Sequence, residues 1–188
     1  MELVQGMVVA SSIFQASPTP PPGLDLHALS MRGMAVGFLS KSFAASAGWA
    51  PQHVNDAYFS GLLCEVGIGA LAAAHVDGWR ELRQLGYADP WMQADHETQT
   101  LGVTSTQASA YLLGLWGFND NTVMTIAAQP AGREDPQVAA AARLLTWARC
   151  SIMNPGADVP EDPCGYFTEE RLELFHRARN LTLTKLGL

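Results

Sequence analysis

Apolar residues recur at helical spacing along nearly the whole chain, and this pattern constrains the fold most strongly. Between about Asp25 and Ala47, the positions predicted to face the core are Leu26, Leu29, Met34, Phe38, Leu39 and Phe43. Residues three or four apart share one face of an α-helix, so such spacing is typical of an amphipathic helix. No segment shows the sustained alternation of β-branched residues that marks a strand. The sequence therefore predicts an all-α helical bundle.

The organisation of the chain is predicted to be a single domain spanning residues 1–188. This length is enough to bury a sizeable core. A helix is predicted over Glu2 to Gln15, and the Pro-rich residues 16–23 that follow cannot be helical, so they are expected to form an exposed connector. Helical spacing is already present at Met1, which favours a missing N-terminal segment. Farther along, Gly61, Gly67 and Gly69 predict a kink or a close approach between helices.

Composition excludes several classes of function. The chain has 18 acidic and 11 basic residues, a net charge of −7, which argues against a nucleic-acid groove. Cys64, Cys150 and Cys164 form no CxxC pair, so neither a disulfide framework nor a structural zinc site is expected. The apolar run from Met7 to Phe14 is too short to cross a bilayer, and the N-terminus lacks the basic region and long apolar core that are typical of a signal peptide. These features predict a reduced, soluble, cytoplasmic protein with no membrane partner.

Three motifs carry a resemblance to a known family. They are Gly61-Leu62-Leu63-Cys64-Glu65-Val66-Gly67, then Glu97 followed by Leu101-Gly102, Ser105 and Leu112-Leu113-x-x-Trp116-Gly117, and finally Ile126-Ala127-Ala128-Gln129-Pro130. In this order and at this spacing they resemble the HDOD family, the regulatory branch of the HD phosphohydrolase superfamily. The resemblance covers roughly Glu2 to Leu188, and the family's earlier helices have no counterpart in the sequence.

The resemblance implies an HD-domain-like helical bundle and shows where the superfamily's metal site would lie. Members with an intact site hold one or two divalent ions with imidazoles and carboxylates, and the ions activate water for attack on a phosphoester. By alignment, the ligand positions carry Leu29, Cys64, Glu65, Ser105, Ala127, Ala128 and Arg149. Nearly every ligand is replaced, and Arg149 places a fixed cation where an acidic ligand is expected. The resemblance thus implies no metal, no cofactor and no phosphohydrolase activity.

Glu65 and Arg149 are the charged residues among these substituted positions. If both project into the vacated pocket, they are expected to form a buried ion pair in place of the metal charge. The neighbouring Cys64 is predicted to be a small core residue, although Cys64 and Glu65 together could also form a weak metal or redox pair.

The resemblance implies a non-catalytic signalling domain that acts through protein contacts. HDOD domains commonly accompany receiver, sensory or nucleotide-cyclase-type domains in bacterial proteins, so such a domain is an expected partner. Two alternatives remain open. One is a diverged phosphohydrolase or cyclic-dinucleotide phosphodiesterase with relocated ligands. The other is a nucleotide or small-anion sensor that uses Arg149 in the emptied pocket.

Overall fold

Residues 23–85, 90–129, 140–156 and 166–187 are described by a computed structural model. Within these ranges every regular element is a helix, which confirms the all-α prediction. In chain order the helices are α1 (Leu26–Ser46), α2 (Pro51–Leu63), α3 (Val66–Ala74), α4 (Val76–Leu85), α5 (Pro90–Leu101), α6 (Ser105–Leu115), α7 (Asp120–Ala127), α8 (Ala140–Met153) and α9 (Glu169–Leu186). The predicted helix over Glu2 to Gln15, nearly all of the connector at residues 16–23, and Cys164 lie outside the described residues.

Aromatic side chains form the centre of the main core, where α1, α8 and α9 meet. Phe43 of α1 and Phe175 of α9 are fully buried, and their ring centroids lie 5.9 Å apart. Trp147 of α8 stacks on Phe167 with ring centroids 3.8 Å apart. Burial of each such ring contributes roughly 1.5–3 kcal/mol. Through these contacts the C-terminal helix α9 packs against α1 and α8.

Close approach between helices is confirmed at two of the three predicted glycines. A Cβ atom on Gly61 would lie 2.6 Å from Gly37 N, so the α1 and α2 backbones meet at this pair of glycines. A Cβ on Gly67 would lie 2.5 Å from Ser109 N of α6. Gly69 has no atom within 4 Å of its Cβ position, so the prediction is wrong for that residue. The break between α2 and α3 falls at Cys64-Glu65.

Two side chains predicted to be buried on α1 are exposed instead. Met34 and Phe38 retain 37% and 39% of their surface, whereas Leu29, Leu39 and Phe43 are buried as predicted. Met34 and Phe38 are four residues apart and therefore share a face of the helix. The apolar pattern of α1 is thus wider than the face that the described chain covers.

One helical stretch in the described ranges, Pro51–Ala74, is long and apolar enough to meet the criteria for a membrane span. In this fold 67% of its most apolar window is buried inside the protein. It includes α2 and α3, which pack against α1 and α6 respectively. The apolar character of the stretch is therefore accounted for by its place in the helical core.

Candidate functional site

Glu65 and Arg149, the two charged residues at the aligned metal-ligand positions, contact each other in the interior. Arg149 Nη2 lies 3.4 Å from Glu65 Oε1, and the two side chains are only 2% and 3% exposed. The second carboxylate oxygen of Glu65 accepts a shorter bond, 2.6 Å, from Nε of Arg32 on α1. Both oxygens of Glu65 are therefore committed to guanidinium groups. Arg32, which is 28% exposed, connects this buried pair with the protein surface.

The side-chain amide of Gln93 extends the network from Arg149 to a second buried carboxylate. Gln93 Oε1 accepts from Arg149 Nη2 at 3.3 Å, while its Nε2 donates to Glu97 Oε1 at 2.7 Å. The other Glu97 oxygen accepts from the backbone N–H of Ser105 at 2.6 Å. Ser105 begins α6, so Glu97 places negative charge at the positive end of that helix. Two carboxylates and two guanidinium groups therefore balance within one network, in which Arg32 is partly exposed and the other three charged groups are buried.

Gln129 holds the other side of the Arg149 guanidinium. Its Oε1 accepts from Arg149 Nη1 at 3.0 Å, and its Nε2 donates to the carbonyl of Ile126 at 3.2 Å. Gln129 follows directly after Ala127 and Ala128, the last residue of α7 and its C-cap. The two alanines carry no polar side-chain atom, so among the described residues at this end of the site Gln129 is the one that binds the guanidinium. Arg149 is thus held by Glu65, Gln93 and Gln129 together.

Cys64 lies beside the ion pair and is buried. Its Sγ–H donates to the carbonyl of Gly61 at 3.2 Å. Burial raises the pKa of Cys64 to about 12, although the nearby Arg149 acts in the opposite direction. At neutral pH the residue is therefore a thiol rather than a thiolate, which makes it a poor metal ligand and a poor nucleophile.

Ser109 fixes the distance between the Cys64-Glu65 turn and α6. Its hydroxyl accepts from Gly67 N at 2.8 Å and lies 2.8 Å from both Cys64 O and Ser105 O. The side chain satisfies backbone groups that the break between α2 and α3 leaves without helical partners. Ser109 thus binds the backbone on both sides of Glu65.

Leu29, the remaining predicted position, lies apart from the polar network. It packs with Ile68, Ala72, Trp79 and Leu82 in a smaller apolar cluster. It also lines a cavity of about 70 Å³ together with Arg32 and Arg83. Of the seven substituted positions, the structure brings Glu65, Ser105 and Arg149 into one network. Cys64, Ala127 and Ala128 adjoin this network, and Leu29 reaches it only through Arg32, one turn farther along α1.

The side chains at this site do not fit a divalent metal. A metal would need several free oxygen or imidazole ligands. Here both oxygens of Glu65 bind guanidinium groups, and the guanidinium of Arg149 adds a fixed positive charge. None of the five histidines, His27, His53, His75, His96 and His176, is buried. Across the described residues, no group of three or more His, Cys, Asp or Glu side chains is arranged to hold a metal ion.

Comparison with protein families decides the assignment. The model of the HDOD domain matches residues 1–131 of the chain, well over half of its length. The chain belongs to the HDOD domain family. The match includes the Gly61–Gly67 and Glu97–Gly117 motifs, and it ends before α8, so Arg149 lies beyond the matched part of this HDOD chain.

Solved structures show the same fold. A protein from Shewanella amazonensis SB2B, provisionally named a phosphohydrolase, is 17% identical to this chain with a TM-score of 0.69. A provisionally named signal transduction protein from Marinobacter aquaeolei VT8 is 19% identical with a TM-score of 0.64. The superpositions cover 97% and 100% of this chain but only 66% and 45% of those proteins. No curated protein matches the sequence.

Sequence reasoning missed three members of the buried network, Arg32, Gln93 and Gln129. Each has a positional signal in hindsight. Arg32 lies three residues after Leu29, an aligned ligand position, and Gln93 lies four residues before Glu97, a motif residue, so each shares a helix face with a residue that the resemblance identifies. Gln129 directly follows Ala127 and Ala128, which the family resemblance aligns with metal-ligand positions. Alignment with the family identifies only the ligand positions. A guanidinium at one of these positions needs hydrogen-bond partners from neighbouring residues, which the alignment does not identify.

Proposed function

We propose that this HDOD chain is a non-catalytic regulatory module of a signal-transduction pathway and acts through protein contacts. The observation that carries the proposal is the Glu65–Arg149 pair, because an internal cation stands where the family resemblance puts metal ligands. Without a metal, the site has no means of lowering the pKa of water for attack on a phosphoester. Membership of the HDOD family and the fold shared with a provisionally named signal transduction protein support a regulatory role.

The proposal includes a cytoplasmic location in a bacterial cell and a protein partner, such as a receiver domain of the same or another chain. Neither nucleic acid nor membrane is proposed as a ligand, since the chain carries a net charge of −7. The anion-sensor alternative is not favoured, because Arg149 is only 2% exposed and its guanidinium already binds three side chains.

Turnover of phosphodiesters tests the non-catalytic part of the proposal. Purified protein supplied with Mn²⁺, Fe²⁺ or Zn²⁺ is expected to hydrolyse bis(p-nitrophenyl) phosphate and cyclic dinucleotides no faster than buffer with the same metal. The matched control is the Glu65→Gln variant, which removes the one carboxylate at the aligned ligand positions. A metal-dependent rate in the wild type that disappears in Glu65→Gln would establish a relocated catalytic site and contradict the proposal.

A further inference from the structure

Exposed apolar side chains from α1 and α9 form one surface of the domain. Phe38 of α1 and Leu181 of α9 are 39% and 48% exposed, and both line the same groove. Met34, one turn before Phe38, extends the apolar face of α1 and is 37% exposed. Side chains of this size and type are normally buried, and contiguous exposed ones mark interaction sites.

The groove between α1 and α9, called here the α1–α9 groove, has a volume of about 370 Å³. It is lined by Phe38, Ser42, Leu181, Thr182, Lys185 and Leu186. Thr182 is buried, and its hydroxyl donates to the carbonyl of Ala178 at 2.9 Å, so it needs no partner from a ligand. The volume falls within the roughly 300–1,000 Å³ of ligand clefts, and the exposed apolar surface continues beyond the groove to Met34.

Within residues 33–50 and 174–187, which contain the groove-lining parts of α1 and α9, every charged residue is basic. Lys185 lines the groove itself. Lys41 lies close by, because its Nζ is 5.3 Å from the ring of Tyr58, and that ring packs against Phe38 at 5.7 Å. Neither residues 33–50 nor residues 174–187 contain an acidic residue, although the chain has 18 acidic and 11 basic residues in total. An acidic protein thus presents an apolar groove with Lys185 in its lining and Lys41 close by.

We propose that the α1–α9 groove binds one amphipathic helix of a partner protein, with apolar side chains on one face and Asp or Glu on its flanks. The apolar face would fill the groove over Phe38 and Leu181, as in other helix-in-groove complexes. The acidic flanks would lie opposite Lys41 and Lys185, which set orientation and partner choice. A helix is favoured over an added strand because the described residues contain no sheet edge. This inference rests on the proposed regulatory function and names the surface that performs it.

Two designed helical peptides test the inference. Both carry Leu at positions i, i+4 and i+7; one has Glu on its flanks and the other has Lys at the same positions. Fluorescence anisotropy of the wild-type protein is expected to show about tenfold tighter binding of the Glu peptide than of the Lys peptide at low salt, with the difference shrinking as salt is added. Leu181→Glu is expected to weaken binding of the Glu peptide by at least about tenfold, since it places a carboxylate in the apolar contact.

Matched variants distinguish binding in the groove from non-specific binding to apolar surface. Leu115→Glu makes the same change at a 65% exposed position on α6, outside the groove, and should leave binding unchanged. The double variant Lys41→Glu/Lys185→Glu should reverse the preference so that the Lys peptide binds more tightly. Lys41 and Lys185 are both exposed. Thermal melts would show that each variant remains folded.

The inference is overturned if the wild type binds neither peptide, or if Leu181→Glu and Leu115→Glu weaken binding equally. A wild-type dimer that Leu181→Glu dissociates would assign the groove to a second copy of the chain, which also overturns it. None of these outcomes affects the phosphodiester test. If the groove inference fails, the proposal of a non-catalytic function is therefore retained. Phosphodiester turnover would instead remove the function on which the groove depends.

Discussion

Glu65→Ala is expected to lower the free energy of unfolding by about 3–5 kcal/mol, the usual effect of removing one partner from a buried ion pair. The reason is that Arg149, only 2% exposed, would keep its charge and lose the carboxylate beside it. Gln93 and Gln129 would still accept from the guanidinium, but neutral amides compensate a buried charge poorly. Thermal or urea unfolding followed by circular dichroism measures the effect.

A surface ion pair provides the matched control for this variant. Arg80 and Asp77 are joined at 2.6 Å, as short as the Arg32–Glu65 contact, but their side chains are 56% and 94% exposed. Asp77→Ala should produce no resolvable change in Tm, because solvent screens the pair. The double variant Glu65→Leu/Arg149→Met should be less destabilised than Glu65→Ala alone, since the buried Arg149 charge is removed together with its partner, while Glu97 keeps its bonds to Gln93 and to the backbone N–H of Ser105. Equal effects of Glu65→Ala and Asp77→Ala would show that the buried pair is not structural.

Gly67→Ala is expected to destabilise the fold by about 3 kcal/mol, at the upper end for overpacking. The added Cβ would overlap Ser105 O and lie 2.5 Å from Ser109 N, both of which are backbone atoms of α6. Backbone cannot rotate away as a flexible side chain can, so α3 and α6 would have to separate. That separation would also stretch the bond between Gly67 N and the Ser109 hydroxyl.

Gly69→Ala is the control for Gly67→Ala on the same helix. Nothing lies within 4 Å of the Cβ position at Gly69, so the substitution meets open space. Alanine is the better helix former, and the variant should gain about 0.5–1 kcal/mol in unfolding free energy. Opposite shifts in the urea midpoint are therefore expected for two identical substitutions two residues apart. Shifts of the same sign and size would refute the close contact between α3 and α6.

The sequence predicted the helical class from local pattern and the residues of the buried pair from the family resemblance. Spacing of apolar residues reveals a helix, and the motif around Cys64-Glu65 identifies the positions that would face the former metal site. Arg149 and Glu65 are 84 residues apart, yet alignment with the family motifs was enough to place them together as a hypothesis. Their role in function remains a prediction.

The wrong predictions concern contacts between helices and not the helices themselves. Met34 and Phe38 satisfy the helical pattern as well as Leu39 does, and only the position of the neighbouring helices decides which of them is covered. Likewise, Gly69 resembles Gly67 in sequence, but only Gly67 faces another backbone. Helical periodicity specifies which residues share a face and carries no information about how much of that face a neighbour reaches.

Metal content is the most direct test of the claim that an internal ion pair has replaced the metal. The protein would be incubated with manganese, iron and zinc, freed of unbound metal and analysed by mass spectrometry. Because the ligand positions hold a paired carboxylate and a guanidinium, less than about a tenth of an equivalent is expected in every case. A stoichiometric metal in the wild type would contradict the claim, and its loss in a Glu65→Ala variant that circular dichroism shows to be folded would assign Glu65 as a metal ligand.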